Sequence, residues 1–364
     1  MERLSIKNRV KNVLAGDMSR RLVSFDLVKM LMMLWVVWGH LGLYGIVDSE
    51  ASVYMMNAKI GVNMPVFFVI AGCFAAHSFD HFRWVKVLSK VVLYLWPHVT
   101  LPVLSALFLI VLSAEDFRTV LWHIPFYWFL RTLAMIYIVS AIICKVAKGV
   151  LSRWVLMFAL YCVMFFLPDL TRWWWCAQVI HMFPYFVFGL MVLGRYQLYR
   201  SLPISLVCGL VFLAIVFLQG DSSVNGMSFW NGSVYWNDVL FNVKHLVPFV
   251  LRTLAGITGS IFVLFLADLF ARKIKFASLL APLGMTTLGV YVIHEYPLRL
   301  IGEHFTGALA PSWTRWPLAI VWFLVCHFVV LQIKYFVLSR ILFFGDEGRI
   351  LGVMEKVFSI GMRK

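Results

Sequence analysis

The sequence predicts an all-α integral membrane protein, built as a bundle of about ten transmembrane helices. Of its 364 residues, 62% are hydrophobic and only 13% are charged, which is about half of the charged fraction found in soluble domains. The apolar residues gather in long runs, and a helix of roughly 20 such residues spans the hydrocarbon core of a bilayer. Because lipid cannot satisfy backbone polar groups, we interpret these runs as helices.

The predicted spans follow one another along almost the whole chain. They cover 22–44, 60–77, 88–112, 124–147, 150–167, 178–194, 204–218, 246–268, 278–301 and 316–343. We therefore expect a basic cytoplasmic arm at 1–21, one membrane domain at 22–343 and a cytoplasmic amphipathic tail at 344–364.

The loops between these spans alternate in charge. Lys and Arg are concentrated in the N-terminal arm, in the tail and in every second loop, at 78–90, 145–153, 195–200 and 272–275. The other loops hold few basic residues, at 45–59, 113–123, 168–177, 219–245 and 302–315. This is the positive-inside pattern, which predicts an even number of spans and cytoplasmic termini. It also accounts for the net charge of +15 without a nucleic-acid partner; the partners we expect on these grounds are membrane lipids.

The side chains that ligate metals or form disulfides show no recognisable pattern. The six cysteines contain no CxxC pair and lie mostly in apolar runs, and no His, Asp or Glu cluster has metal-ligand spacing. We expect neither a disulfide framework nor a metal site.

The first span contains three ionisable residues, which is costly within a bilayer and indicates function. Asp26 and Lys29 are three residues apart, so they are neighbours on one helix face and can form an ion pair. His40 follows Lys29 by eleven residues, which is about three turns and roughly 16 Å along the same face. The orientation predicted above places Lys29 nearer the cytoplasm and His40 nearer the outer surface. Snorkelling of Lys29 and an interfacial His40 are the structural alternative.

Five stretches of the chain together form a recognisable series. They are Ser24 to Lys29 followed by His40, Asn63 to Gly72, Trp128 to Leu130, Phe183 to Gly189, and Leu283 to His294. In this order they resemble acyltransferase family 3, the membrane-bound O-acyltransferases. The first matches a family signature in which a basic residue precedes His by ten intervening residues. The resemblance extends from residue 24 to about 297. One departure is Ala71, which stands where the family has a serine.

The resemblance implies transfer of an acyl group, most often acetyl, from acyl-coenzyme A to a hydroxyl. It implies as acceptor a cell-envelope or exported glycan, or its lipid-linked precursor, and a plasma (inner) membrane location. On this basis we assign His40 as general base and Lys29 as a contact to the coenzyme, with Asp26 orienting Lys29. The family's paired arginines before the third span are represented loosely by three residues expected to contact the coenzyme, Arg83, Lys86 and Lys90.

The partner that orients His40 must come from another span, because no carboxylate of the first helix can reach it. Glu295 and Asp48 are candidates that the sequence does not rank. His294 serves either in packing or in support of the active site.

Two other functions fit a polytopic chain. A transporter or flippase of a glycan precursor is suggested by Pro97 and Pro102, which could break the third span, although no matching broken helix is evident elsewhere. A catalytically silent membrane scaffold is the other alternative, and it would tolerate replacement of His40.

Overall fold

A computed structural model describes residues 23–47, 53–113, 127–166, 174–219, 243–274, 276–304, 310–336, 345 and 347–361. The predicted arm at 1–21 and Asp48 lie outside the described residues. Within the described ranges the regular structure is helical, and the only β pairing is an isolated bridge between Val47 and Ala310. The predicted all-α class is confirmed.

Twelve α-helices of nine or more residues are described. They are α1 (Val23–Leu43), α2 (Val53–Asp80), α3 (Trp84–Ser113), α4 (Trp128–Val146), α5 (Val150–Phe166), α6 (Trp174–Phe188), α7 (Leu202–Gln219), α8 (Val243–Lys273), α9 (Ala277–Met285), α10 (Thr287–His304), α11 (Arg315–Tyr335) and α12 (Glu347–Gly361). A π-helical segment, Gly189–Leu193, extends α6. The last helix covers most of the predicted amphipathic tail and packs on α3, and Glu355 forms a 3.0 Å ion pair with Arg83, the residue before α3.

The number of membrane crossings supported by the described helices is smaller than ten. Six described helices are long and apolar enough to cross a bilayer, namely α1, α2, α4, α6 with its extension, α8 and α11. The pair α9 and α10 forms a seventh candidate, bent by 62°. Two shorter apolar helices, α5 and α7, also lie at predicted spans. The multi-span architecture is therefore supported, whereas the ten crossings remain a prediction.

The third predicted span is not broken where its prolines suggested. Residues Trp84 to Ser113 form one helix, which continues through Pro97 and Pro102. The bend among the described residues lies instead between Met285 and Thr287. The observation that motivated the transporter alternative is thus corrected.

Helix α1 lies inside the bundle, where it contacts α2, α8, α9, α10 and α11. Val28, Met33 and Val37 are almost fully buried, whereas Leu31 and Leu43 are exposed. By contrast, α5, α7 and α11 expose many large apolar side chains, as expected of helices that face lipid. The ionisable residues of α1 are therefore held within protein.

Glycines in two of the recognised stretches allow α2 and α6 to touch backbone to backbone. A methyl group added at Gly189 would collide with the backbone of Val69, and one added at Gly72 would collide with the carbonyl of Phe186. Small residues permit this close approach of helices in membranes. The glycines thus define the α2–α6 crossing.

Replacing Gly189 with alanine is expected to destabilise the protein by about 1–3 kcal/mol, because the backbone it meets cannot rotate away as a side chain can. Thermal unfolding of the purified protein in detergent measures the effect. Gly352→Ala is the matched control, since its added methyl meets no atom within 4 Å. Equal melting temperatures for the two variants would contradict this account of the crossing.

Candidate active site

The three ionisable residues of α1 face the inside of the bundle. Lys29 Nζ lies 2.5 Å from the Asp26 carboxylate, the ion pair that their spacing predicted. Asp26 and His40 are buried, at 7% exposure each. Gly284 of α9 packs on the backbone of Asp26, because a methyl group there would collide with the Asp26 carbonyl. This contact fixes the Lys29 end of α1 within the bundle.

Two adjoining cavities lie along α1, one at the Lys29 end and one at the His40 end. The larger, of about 480 Å³, is lined by Lys29 and Lys90 among mainly apolar residues. The smaller, of about 80 Å³, is lined by His40. They share three lining residues, Val36, Met64 and Tyr291. We call the two cavities together the passage; its size lies within the range of small-molecule sites.

His40 is hydrogen-bonded to a second histidine within the buried core. Its Nδ1 lies 2.8 Å from Nε2 of His294 on α10. Nδ1 of His294 in turn lies 3.0 Å from the carbonyl oxygen of Val290 and 2.9 Å from that of Tyr291. Carbonyl oxygens only accept, so His294 Nδ1 must carry the proton.

These contacts determine the tautomers of the pair. A neutral imidazole carries one N–H, so His294 Nε2 is an acceptor and His40 Nδ1–H donates to it. The lone pair of His40 therefore resides on Nε2. This is the protonation state that a general base requires, set by a partner on the other ring nitrogen.

Tyr44 and Glu295 form a second layer around His40. The Tyr44 hydroxyl donates to the Glu295 carboxylate at 2.7 Å. The Tyr44 ring stacks on the His40 imidazole, with centroids 5.8 Å apart and planes inclined by 26°. Glu295 thus reaches His40 through Tyr44, while His294 bonds to it directly. Sequence analysis missed Tyr44, although its position four residues after His40 was the available signal.

Helix α10 is held in register by contacts from two other helices. Trp322 Nε1–H of α11 donates to the His294 carbonyl at 3.2 Å. The Tyr127 hydroxyl donates to the Val292 carbonyl at 2.9 Å, and the Phe129 backbone N–H donates to the Tyr291 hydroxyl at 3.4 Å. The Trp128 to Leu130 stretch therefore begins α4 against the segment that carries His294.

The three basic residues expected to contact the coenzyme occupy different surroundings. Lys90 lines the larger cavity together with Lys29. Arg83 is exposed and paired with Glu355, and Lys86 is exposed. Neither Arg83 nor Lys86 is among the residues that line the passage. The structure therefore brings together Asp26, Lys29 and Lys90 at one end, and His40 and His294 at the other.

A partly buried polar cluster that sequence analysis missed lies beside His40. Lys59 and Asn63 of α2 line the smaller cavity with His40. The Lys59 ammonium lies against the backbone of Gly39, where an added methyl would displace it. The ammonium also lies 5.8 Å from the centroid of the Trp38 ring. The Arg315 guanidinium lies over the same ring, 3.8 Å from its centroid. The predicted second span started at residue 60, which assigned Lys59 to a loop; in the structure α2 already begins at Val53.

In the part of the chain that the structure describes, no three His, Cys, Asp or Glu side chains are grouped as metal ligands. The polar side chains that line the two cavities include the His40 imidazole, the ammonium groups of Lys29, Lys59 and Lys90, and the Asn63 carboxamide.

The chain also matches a model of a known protein family. The model of the acyltransferase domain of acyltransferase family 3 matches residues 22–332, a range that includes the passage and both histidines. No curated protein and no solved structure matches the chain. By the extent of the family match, the chain belongs to acyltransferase family 3, and it is a membrane acyltransferase.

Proposed function

We propose that the protein is an O-acetyltransferase that moves an acetyl group from acetyl-coenzyme A to a hydroxyl of a glycan or lipid-linked glycan. His40 is the general base. The observation that carries the proposal is the His40–His294 hydrogen bond, which leaves a basic nitrogen at one end of a passage whose other end holds lysines.

The Lys29 end of the passage suits the coenzyme. Phosphate groups bind to lysine ammonium groups, and Lys29 and Lys90 both line the larger cavity. Asp26 holds Lys29 by an ion pair and so restricts its position. The apolar walls between these lysines and His40 suit an extended, uncharged chain that ends in a thioester.

The His40 end suits the acceptor. Nε2 of His40 takes the proton from the acceptor hydroxyl as its oxygen attacks the thioester carbonyl. The tetrahedral intermediate then collapses and expels the coenzyme thiolate, which receives a proton from the imidazolium. His294 positions His40 through Nδ1 during both proton transfers, as a partner on the second ring nitrogen does in hydrolase triads.

The proposed orientation follows the charge of the loops. Both termini and the Lys29 end face the cytoplasm of a plasma (inner) membrane, where the donor is present, and the His40 end faces outwards. The acetyl group then passes along α1, and the acceptor approaches from the opposite side of the membrane.

Inside-out membrane vesicles that contain the protein are expected to transfer radiolabelled acetyl from added acetyl-coenzyme A to a glycan or lipid-linked fraction. Sealed right-side-out vesicles should not do so, because the coenzyme cannot cross the bilayer. The label in each fraction measures transfer, and vesicles without the protein provide the background. Inside-out vesicles that remain at background would contradict the proposed activity, and transfer by right-side-out vesicles alone would contradict the orientation.

A further inference from the structure

The strongest unassigned feature of the molecule is the pair Lys59 and Asn63 in the smaller cavity. The two residues are four apart on α2 and therefore share one helix face. His40 lines the same cavity from α1. The cavity thus holds a base on one helix and a cation with an amide on another.

Within the described ranges, Lys59 has no carboxylate beside it of the kind that normally accompanies a lysine within a membrane protein. Among the residues that the structure describes, no Asp or Glu forms an ion pair with it. Its neighbours are the Trp38 ring and the backbone of Gly39, immediately before His40 in the chain. A cation in this position favours an anion in the cavity.

The side-chain amide of Asn63 is buried and incompletely hydrogen-bonded within the described part of the chain. The residue is 2% exposed, and its side-chain oxygen has no hydrogen-bond partner within the described part of the chain. An unsatisfied buried group of this kind costs about 1–3 kcal/mol. A carboxamide also carries two N–H donors, and a half-turn of the side chain exchanges them with the oxygen. Asn63 can therefore donate to an atom in the cavity.

We propose that Lys59 and Asn63 form the oxyanion-stabilising site of the acyl transfer. This inference rests on the proposed function. When the acceptor oxygen bonds to the thioester carbon, the carbonyl π bond opens and places a negative charge on the carbonyl oxygen. The Lys59 ammonium and the Asn63 amide donate to that oxygen while His40 holds the acceptor's proton. The C–O double bond re-forms as the C–S bond breaks, so the charge leaves on the coenzyme thiolate.

A base and donors that line one cavity can act on the same carbonyl group. Preorganised donors act where charge develops, and removal of one such donor typically lowers kcat by about 10²–10³-fold. Because His40 and Asn63 are buried beside the cavity, the effect of a full positive charge is greater there than in bulk water. Lys59 is thus assigned as a catalytic residue, and Gly39 permits its close approach to the base.

The test uses the full-length purified protein and follows release of free coenzyme A from acetyl-coenzyme A. It compares two acceptors of the acetyl group: the glycan, which is supplied in added membranes, and water, which gives hydrolysis. Lys59→Met is expected to lower kcat by about 10²–10³-fold with both acceptors, with the KM for acetyl-coenzyme A within about twofold of wild type. Lys59→Arg, which keeps the charge, should recover part of the rate. Lys148→Met, at an exposed loop position, is the matched control and should retain the wild-type rate.

Two further variants keep the test decisive where Lys59→Met fails to fold. Asn63→Leu preserves shape and removes the amide, and we expect a loss of about tenfold or more. Gly39→Ala keeps Lys59 but displaces its ammonium group, with a loss of similar size. Melting temperatures near that of wild type establish that these variants fold.

Different results identify different errors. Lys59→Met that slows transfer to glycan but leaves hydrolysis unchanged would overturn the inference, since Lys59 would then bind an anionic acceptor. Unchanged rates with both acceptors would overturn it as well. If the wild-type protein releases no more coenzyme A than protein-free membranes do, the proposed function itself fails, and the inference fails with it.

Discussion

Replacing His40 with alanine is expected to lower kcat for acetyl transfer by about 10³-fold, because a positioned general base contributes about 10²–10⁴-fold. The imidazole is buried and bonded through Nδ1 to His294, which orients its Nε2, and alanine supplies no base in its place. The KM for acetyl-coenzyme A should change little, since the cations that suit the coenzyme line the other end of the passage. Initial rates of labelled acetyl transfer in membranes, normalised to protein amount, measure both constants.

His77→Ala is the matched control for this substitution. His77 lies near the C-terminal end of α2, away from Lys59 near its start, and its exposed ring contacts His81 edge-on. We expect wild-type activity for it, so a loss specific to His40 separates catalysis from the general effect of removing a histidine. Undiminished transfer by His40→Ala would contradict its role as the base and favour the scaffold alternative.

The sequence predicted the class of fold because the bilayer limits the choice. Hydrophobic runs with few charges have one structural solution in lipid, and each predicted span contains a described helix. Whether every helix crosses the membrane depends on tilt and on packing against neighbours. Six or seven of the described helices qualify as crossings by length and composition, a set that contains neither the shorter helices α5 and α7 nor α3.

The sequence also located half of the candidate site. Asp26, Lys29 and His40 lie on one helix, so helical spacing alone predicts that they share a face. His294 is 254 residues from His40, and no spacing rule connects two helices that are so distant in sequence. The tautomer of His40 depends on the carbonyls that His294 contacts within α10. Such a detail exists only once the two helices are packed.

Helix boundaries explain why Lys59 was missed. A hydropathy pattern ends a span where charge appears, so a lysine at the margin is assigned to the adjoining loop. In the structure α2 begins at Val53 and carries Lys59 inside the bundle. The glycine stretches show the opposite case, since Gly72 and Gly189 were recognised as family features before their contact was visible. Their physical role is the backbone contact between α2 and α6.

Replacing His294 with leucine is expected to lower kcat by about 10²-fold while the KM for acetyl-coenzyme A stays near its wild-type value. Leucine removes the acceptor for His40 Nδ1–H, so the proton is no longer confined to Nδ1 and the ring loses its fixed orientation. A wrong tautomer in a hydrolase triad lowers kcat by about 10⁴-fold. We expect a smaller loss for His294→Leu because His294 is a neutral partner, whereas the partner in the triad is a carboxylate.

His294→Gln is the matched control, because its amide oxygen can occupy the place of Nε2 and should restore activity to within about tenfold of wild type. Steady-state kinetics of the purified variants, with melting temperatures to establish folding, measure the difference. Equal activity of the leucine and glutamine variants would show that His294 packs against His40 without positioning it.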